Sequence, residues 1–153
     1  MKSSRKIILR KAGFSDIEFL WYLRNQPDVY KYSRENRPVS WEKHIQWILP
    51  IILGVSNKEI FVIQSQKVPI GQIRFDYKNH KEAEISISIL KEFQGRGFAT
   101  KVLGLAIKKQ KKVKLLTAEI HKSNLPSMKL FEKLGFKFKT KKGKWLKYEK
   151  NLF

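Results

Sequence analysis

The chain has no cysteine. That excludes disulfides, a thiol nucleophile and any metal site built on thiolates. Its three histidines, His44, His80 and His121, are scattered and form no paired ligand motif, so no metal is expected. Acidic residues are scarce, 13 against 33 Lys and Arg, which leaves a net charge of +20. Long apolar runs are missing as well. The longest, residues 48–55, contains Pro50 and falls far short of a membrane span. The N-terminal MKSSRKIILRK carries charge without a long apolar core or a cleavage site, so it reads as a first strand and not a signal peptide. A soluble, cytoplasmic protein without membrane insertion is the expectation.

What is present suits one globular unit. The 153 residues suffice for one domain and one core, and 42% are hydrophobic. The domain is expected to run over residues 1–153. Positive charge is heavier toward the end: residues 81–153 hold 19 basic and 6 acidic side chains, against 14 and 7 in residues 1–80. Such a field attracts polyanions, either a phosphorylated small molecule, a nucleic acid or an acidic membrane. Most of the cations are Lys, which is often only a solvated surface residue.

Elements alternate in type along the chain. Residues 6–10 form a short β-rich run. Ser15 and Glu18 have capping-box spacing ahead of a helix to about Asn25, which Pro27 stops. Residues 26–39 read as polar and irregular. Ser40 caps a second helix that Pro50 should kink or end. Residues 59–64 and 68–77 read as an antiparallel pair with a tight turn. Ala83, Ile85, Ile87 and Ile89 then alternate with Glu84, Ser86 and Ser88, giving a strand with one apolar and one polar face. Ala99, Val102, Leu103, Ala106 and Ile107 repeat at helical spacing. A strand at 115–121, a short helix at 126–134 and a final hairpin complete the order β-α-α-β-β-β-α-β-α-β-β. This is a mixed α/β arrangement.

Gln94, Gly95, Arg96, Gly97, Phe98, Ala99 and Thr100 lie between the alternating strand and the helix. Such a turn aims several backbone amides and a helix dipole at one point, which suits a phosphate. A strand-to-helix turn that needs glycine only for its backbone shape would read the same way. The turn ends Phe-Ala-Thr where a P-loop requires Gly-Lys-Ser/Thr, and Thr100 stands where a dinucleotide fingerprint places Gly or Ala.

Gln94, Gly97 and Ala99 match the Gln/Arg-x-x-Gly-x-Gly/Ala pattern, and AEISISILKEFQGRGFATKVL resembles the fourth strand, pyrophosphate loop and third helix of the GCN5-related N-acetyltransferases (GNAT). Asn124 through Ser127, and LFEKLGF from Leu130, resemble that family's next segment. The resemblance implies a mostly antiparallel, twisted sheet of about seven strands with about four helices, splayed between strands 4 and 5. It implies acetyl-CoA as co-substrate. Main-chain groups of Ile87, Ser88 and Ile89 would bond the pantetheine, residues 94–100 the pyrophosphate, and Asn124, Ser127 and Phe131 would line the cofactor.

Chemistry adds a base. An amine must lose a proton to attack a thioester, and Glu84 is the only acid on the polar face of the alternating strand. It reads either as that base or as a surface glutamate paired with lysine. Many relatives place a tyrosine acid where Phe131 stands, and Phe131 cannot donate a proton. Tyr30, Tyr32 and Tyr148 are alternatives only by residue type.

Residues 21–29 and 40–47 resemble the branch that acetylates nucleotide-linked amino sugars for surface glycans. The branch that acetylates ribosomal-protein N-termini shares part of this pattern. On this resemblance Arg24, Asn25 and His44 would contact the acceptor, an amine-bearing small molecule carrying negative charge. Each also has a local reading as cap, pair or core-edge residue, and Trp21, Trp41 and Trp47 have one as core. A basic nucleic-acid-binding module is the other class, with Phe136, Phe138 and Trp145 interleaved among lysines, though no RNA-recognition motif is present. The last hairpin could offer an edge for a homodimer.

Overall fold

The computed structural model describes residues 6–152. Strands β1 (Ile7–Lys11), β2 (Lys58–Ser65), β3 (Val68–Tyr77), β4 (Glu82–Ile89), β5 (Leu115–His121), β6 (Lys137–Lys142) and β7 (Trp145–Asn151) form one sheet. Its order is β1-β2-β3-β4-β5-β7-β6. All neighbours run antiparallel except β4 and β5, which are parallel. The helices are α1 (Ile17–Arg24), α2 (Pro27–Tyr30), α3 (Trp41–Ile52), α4 (Phe98–Lys108) and α5 (Leu125–Lys133). The mixed α/β architecture expected from the element order is the one observed.

Helices cover both faces because each face of the sheet is apolar somewhere. Ala83, Ile85 and Ile89 of β4 join Leu116, Ala118 and Ile120 of β5 in the main core. Phe98, Val102, Leu103 and Ala106 of α4 and Phe131 of α5 complete it. On the opposite face Leu20 of α1 and Ile48 and Ile51 of α3 bury against Ile60 and Val62 of β2. Each fully buried aliphatic side chain contributes about 1.5–3 kcal/mol. The two clusters anchor the helices that flank β4.

Three local expectations are corrected. The Ser15 capping box is absent. Asp16 instead sits at the N-cap of α1, 3% exposed, and accepts from the Gly13 amide at 2.8 Å. Both its oxygens also accept from Arg10, each at 2.7 Å. A bidentate pair to a strand residue outcompetes a local cap because it satisfies a buried carboxylate. Second, residues 26–39 are not wholly irregular, since Pro27 opens α2 at its first position, where a missing N–H costs nothing. This is why five helices are seen, not four. Third, of the kink or end expected at Pro50, the end is not seen there, since α3 runs two residues past it. Ser40 caps α3 as expected, accepting from the Lys43 amide at 3.2 Å.

No helix among the described residues is long and apolar enough to cross a membrane. At the far edge of the sheet every residue of β6 is exposed.

Candidate active site

The parallel register of β4 and β5 holds for only three pairs, Glu82↔Leu115, Ala83↔Leu116 and Glu84↔Thr117. Beyond Glu84 the edge of β4 that faces β5 has no strand partner. The Leu90 amide donates to the Ile70 carbonyl on β3. Main-chain direction alternates along a strand, so the groups of Ser86 and Ser88 point to β3 and those of Ile85, Ile87 and Ile89 point into the opening. The main-chain groups of Ile87 and Ile89 therefore lie along the unpaired edge. Ser88 is corrected, because its main chain belongs to the β3 ladder. Gly71, opposite Ile89, makes that ladder possible: a Cβ there would lie 2.3 Å from the Ser88 carbonyl oxygen.

The glycine loop stands at the wide end of this opening. Gly95 and Gly97 have φ of 73° and 81°, a region that L residues disfavour. Nothing lies within 4 Å of where their Cβ atoms would be. The amides of residues 95–100 donate to no acceptor among the described residues. Phe98 is 8% exposed and sits in the main core, so it anchors the loop from below. Ala99 and Thr100 continue the first turn of α4, and the Arg96 guanidinium lies 5.4 Å from the Phe93 ring centre. The loop therefore presents free donors, open space and an exposed cation, an arrangement that fits a pyrophosphate. Gln94 plays a different part. Its Nε2 donates to the Ile89 carbonyl at 2.8 Å and to Asp28 Oδ2 at 3.0 Å.

Across the opening, the Asn124 Oδ1 caps α5 by accepting from the Ser127 amide at 3.3 Å. Phe131 is 2% exposed and meets Phe136 edge-on at 5.0 Å. The Tyr148 hydroxyl donates to Glu132, and Tyr148 lies in the main core.

Glu84 sits at the narrow end, half-buried, with Lys78 Nζ 3.8 Å away. Burial pushes its carboxyl above the ordinary glutamate value, and the Glu119 charge pushes the same way. Asp76 adds to this, while Lys78 and Arg74 pull back. Glu119 follows Thr117 by two on β5, so it shares the face of Glu84. Sequence reasoning missed its role, although the alternation of β5 could have revealed it. Arg34, from the segment after α2, pairs with Glu119 and lies 4.5 Å from the Trp145 ring centre.

The three residues expected to contact the acceptor part company. Asn25 is spent on the backbone: its amide donates to the Val39 carbonyl at 3.0 Å and its Oδ1 accepts from the Val39 amide at 2.8 Å. His44 is 0% exposed, with Nε2 2.9 Å from the Ile17 carbonyl. Burial holds it below the ordinary histidine value, and the Arg24 charge works in the same direction. Both are structural corrections of the expectation. Arg24 alone turns toward the sheet, its guanidinium 4.6 Å from the Trp47 ring centre.

Two function classes meet plain geometry. No group of three or more His, Asp or Glu able to hold a metal occurs among the described residues. Of the aromatics among the C-terminal lysines, Phe136 is buried and Trp145 is engaged by Arg34 and His121, leaving Phe138 exposed. One ring does not make a stacking platform for bases.

Comparison with known proteins agrees with this geometry. The acetyltransferase (GNAT) domain family matches residues 6–137. An uncharacterized protein of Methanocaldococcus jannaschii is 35% identical over 161 residues, covering 96% of this chain but only 31% of that protein's length. A solved domain from the same organism has a TM-score of 0.87 at 29% identity, over 97% of this chain and 100% of that one. The spermidine N-acetyltransferase of Vibrio cholerae, solved with CoA and spermine, gives 0.83 at 22% identity over 95% of each chain. An acetyltransferase of Salmonella typhimurium that modifies the N-terminal serine of ribosomal protein L7/L12 gives 0.80 at 17%, over 99% and 97%. The last two share the fold. With most of its length inside the matched domain, the chain belongs to the GNAT family of acetyltransferases.

Proposed function

We propose that the chain transfers an acetyl group from acetyl-CoA to the primary amine of a nucleotide-linked amino sugar. The observation that carries this reading is the opening between β4 and β5. It has a free strand edge along one side, undonated loop amides at its wide end and a half-buried carboxylate at its narrow end.

In this reading the amides of residues 95–100 and Arg96 hold the pyrophosphate, and Gln94 holds the loop in place. Ile87 and Ile89 bond the pantetheine arm, with Asn124 and Ser127 along the other wall; Phe131, 2% exposed in the main core, does not line it as expected. Bound there, acetyl-CoA supplies an activated thioester carbonyl. Glu84 accepts the proton that the amine gives up, directly or through water. Its raised pKa suits that task, because a base works best with a pKa nearer the operating pH. The Ile87 and Ile89 amides are fixed donors of the kind that stabilise developing negative charge on oxygen. Phe131 supplies no proton, so the departing thiolate takes its proton from another group or from solvent.

The acceptor rests on two supports. Residues 21–29 and 40–47 resemble the amino-sugar branch, and a net charge of +20 favours a polyanionic substrate over a basic protein N-terminus. The test is thiol release from acetyl-CoA over a panel of UDP-amino sugars, basic peptides, polyamines and aminoglycosides. Turnover of a UDP-amino sugar above the rest is expected. Preference for a peptide or a polyamine rejects this acceptor while leaving the acetyl transfer intact.

A further inference from the structure

Arg24 and Arg74 stand on the polar side of the sheet and share one indole. Arg24 Cζ lies 4.6 Å and Arg74 Cζ 5.6 Å from the Trp47 ring centre. The ring face satisfies the charge of a guanidinium but none of its in-plane donors. Arg24 makes no hydrogen bond or ion pair among the described residues, and its Nη1 is sealed from solvent without an acceptor. Arg74 gives its Nε to Asp76 at 2.8 Å, and its two terminal nitrogens have no acceptor among the described residues. Burial and the Arg74 charge both hold Arg24 below its ordinary pKa, with Glu35 opposing.

Two like charges are thus held together with fewer acceptors than donors. A buried donor without an acceptor is costly, and an arginine fork matches a phosphate or carboxylate. Arg74 opposes Ser86 on β4, two residues from Glu84 on the same face. The polar face therefore carries acid at Glu84 and Glu119 and paired guanidinium groups one diagonal step away.

We propose that Arg24 and Arg74 form an anion subsite that selects acceptors bearing a phosphate or carboxylate near the reacting amine. This rests on the acetyl-transfer reading of the opening beside it. The ammonium end of such an acceptor meets Glu84 and Glu119, and the anionic end meets the arginine pair. A polyamine satisfies only the acidic half and is repelled by the other.

The test uses the CoA-saturated protein, so that probes cannot enter the pyrophosphate loop. Uridine diphosphate and glutamate are titrated by calorimetry into wild type, Arg24→Gln and Arg74→Gln, with circular dichroism confirming the fold of each. Binding of either probe that weakens about tenfold or more in both variants is the expected result, the loss of a charged hydrogen bond. Uridine diphosphate alone binding identifies a phosphate subsite, and glutamate alone a carboxylate subsite. Binding of neither, or equal binding to the variants, overturns the proposal. Thiol release with a UDP-amino sugar and the free amino sugar is run in parallel. The expected KM difference between them should collapse in Arg24→Gln. Arginine-dependent probe binding without thiol release from either sugar would leave the subsite standing and remove the nucleotide-linked amino sugar as the acceptor.

Discussion

The side-chain amide of Gln94 donates to the carboxylate of Asp28 at 3.0 Å, joining the glycine loop to α2 across 66 residues of sequence. The same nitrogen also holds the Ile89 carbonyl at 2.8 Å. Gln94 thus fixes the loop against both the strand edge and α2. Gln94→Ala removes both contacts, and Asp28→Ala removes one. By calorimetry Gln94→Ala should weaken acetyl-CoA binding about tenfold, and Asp28→Ala by less, since an exposed hydrogen bond contributes about 0.5–1.5 kcal/mol. Equal effects would mean that the Ile89 contact contributes nothing.

Gly97 precedes α4 with a φ of 81° and open space where a Cβ would point. The cost of substitution is therefore conformational, about 1–2 kcal/mol for an L residue and more for a β-branched one. Gly97→Val should abolish measurable acetyl-CoA binding while lowering Tm by only a few degrees. Undiminished affinity would remove the pyrophosphate from this loop.

Much of this site was written locally in the sequence. The alternation of residues 83–89 placed Glu84 and the apolar isoleucines on opposite faces, because strand period is fixed at two. The glycines of the loop were legible because only they adopt positive φ without strain. The parts that escaped depend on contacts distant in sequence. Gln94 reaches Asp28 and Arg34 reaches Glu119. No periodicity encodes such pairings. Asn25 and His44 were misassigned for the same reason, since their partners Val39 and Ile17 become neighbours only once α1 and α3 pack.

Asp16 predicts how stability depends on acid. Burial alone would raise its carboxyl, but Arg10 and the Gly13 amide outweigh that and hold it below the ordinary value. A depressed acid stabilises the fold above its unfolded pKa, about 3.9. The contribution is lost as pH falls through the lower folded value. Asp16→Ala should cost about 1–3 kcal/mol at pH 7 in urea unfolding. The gap between wild type and variant should narrow below pH 4, and a gap independent of pH would assign the loss to packing.

Glu84→Ala should lower turnover by about 10²–10⁴-fold if the carboxylate is the base. Affinity for acetyl-CoA, measured by calorimetry, should not change, because the residue lies at the other end of the opening from the loop. A variant with full turnover would take Glu84 out of the mechanism.

The acid limb of kcat/KM offers a sharper reading of the same group. A base with a raised pKa loses activity as pH falls through that raised value, so the limb should lie above the ordinary glutamate value of about 4.3. After burial, the largest cause is the Glu119 charge. Glu119→Gln removes it and should move the limb to lower pH. Arg34 pairs with Glu119 and offsets part of its field at Glu84. Arg34→Ala should therefore move the limb the opposite way, to higher pH. Both residues are partly exposed, so each shift should shrink as ionic strength rises. Shifts in the same direction would show that the segment after α2 acts through shape. Opposite, salt-sensitive shifts would show that the segment after α2 sets the charge state of the base.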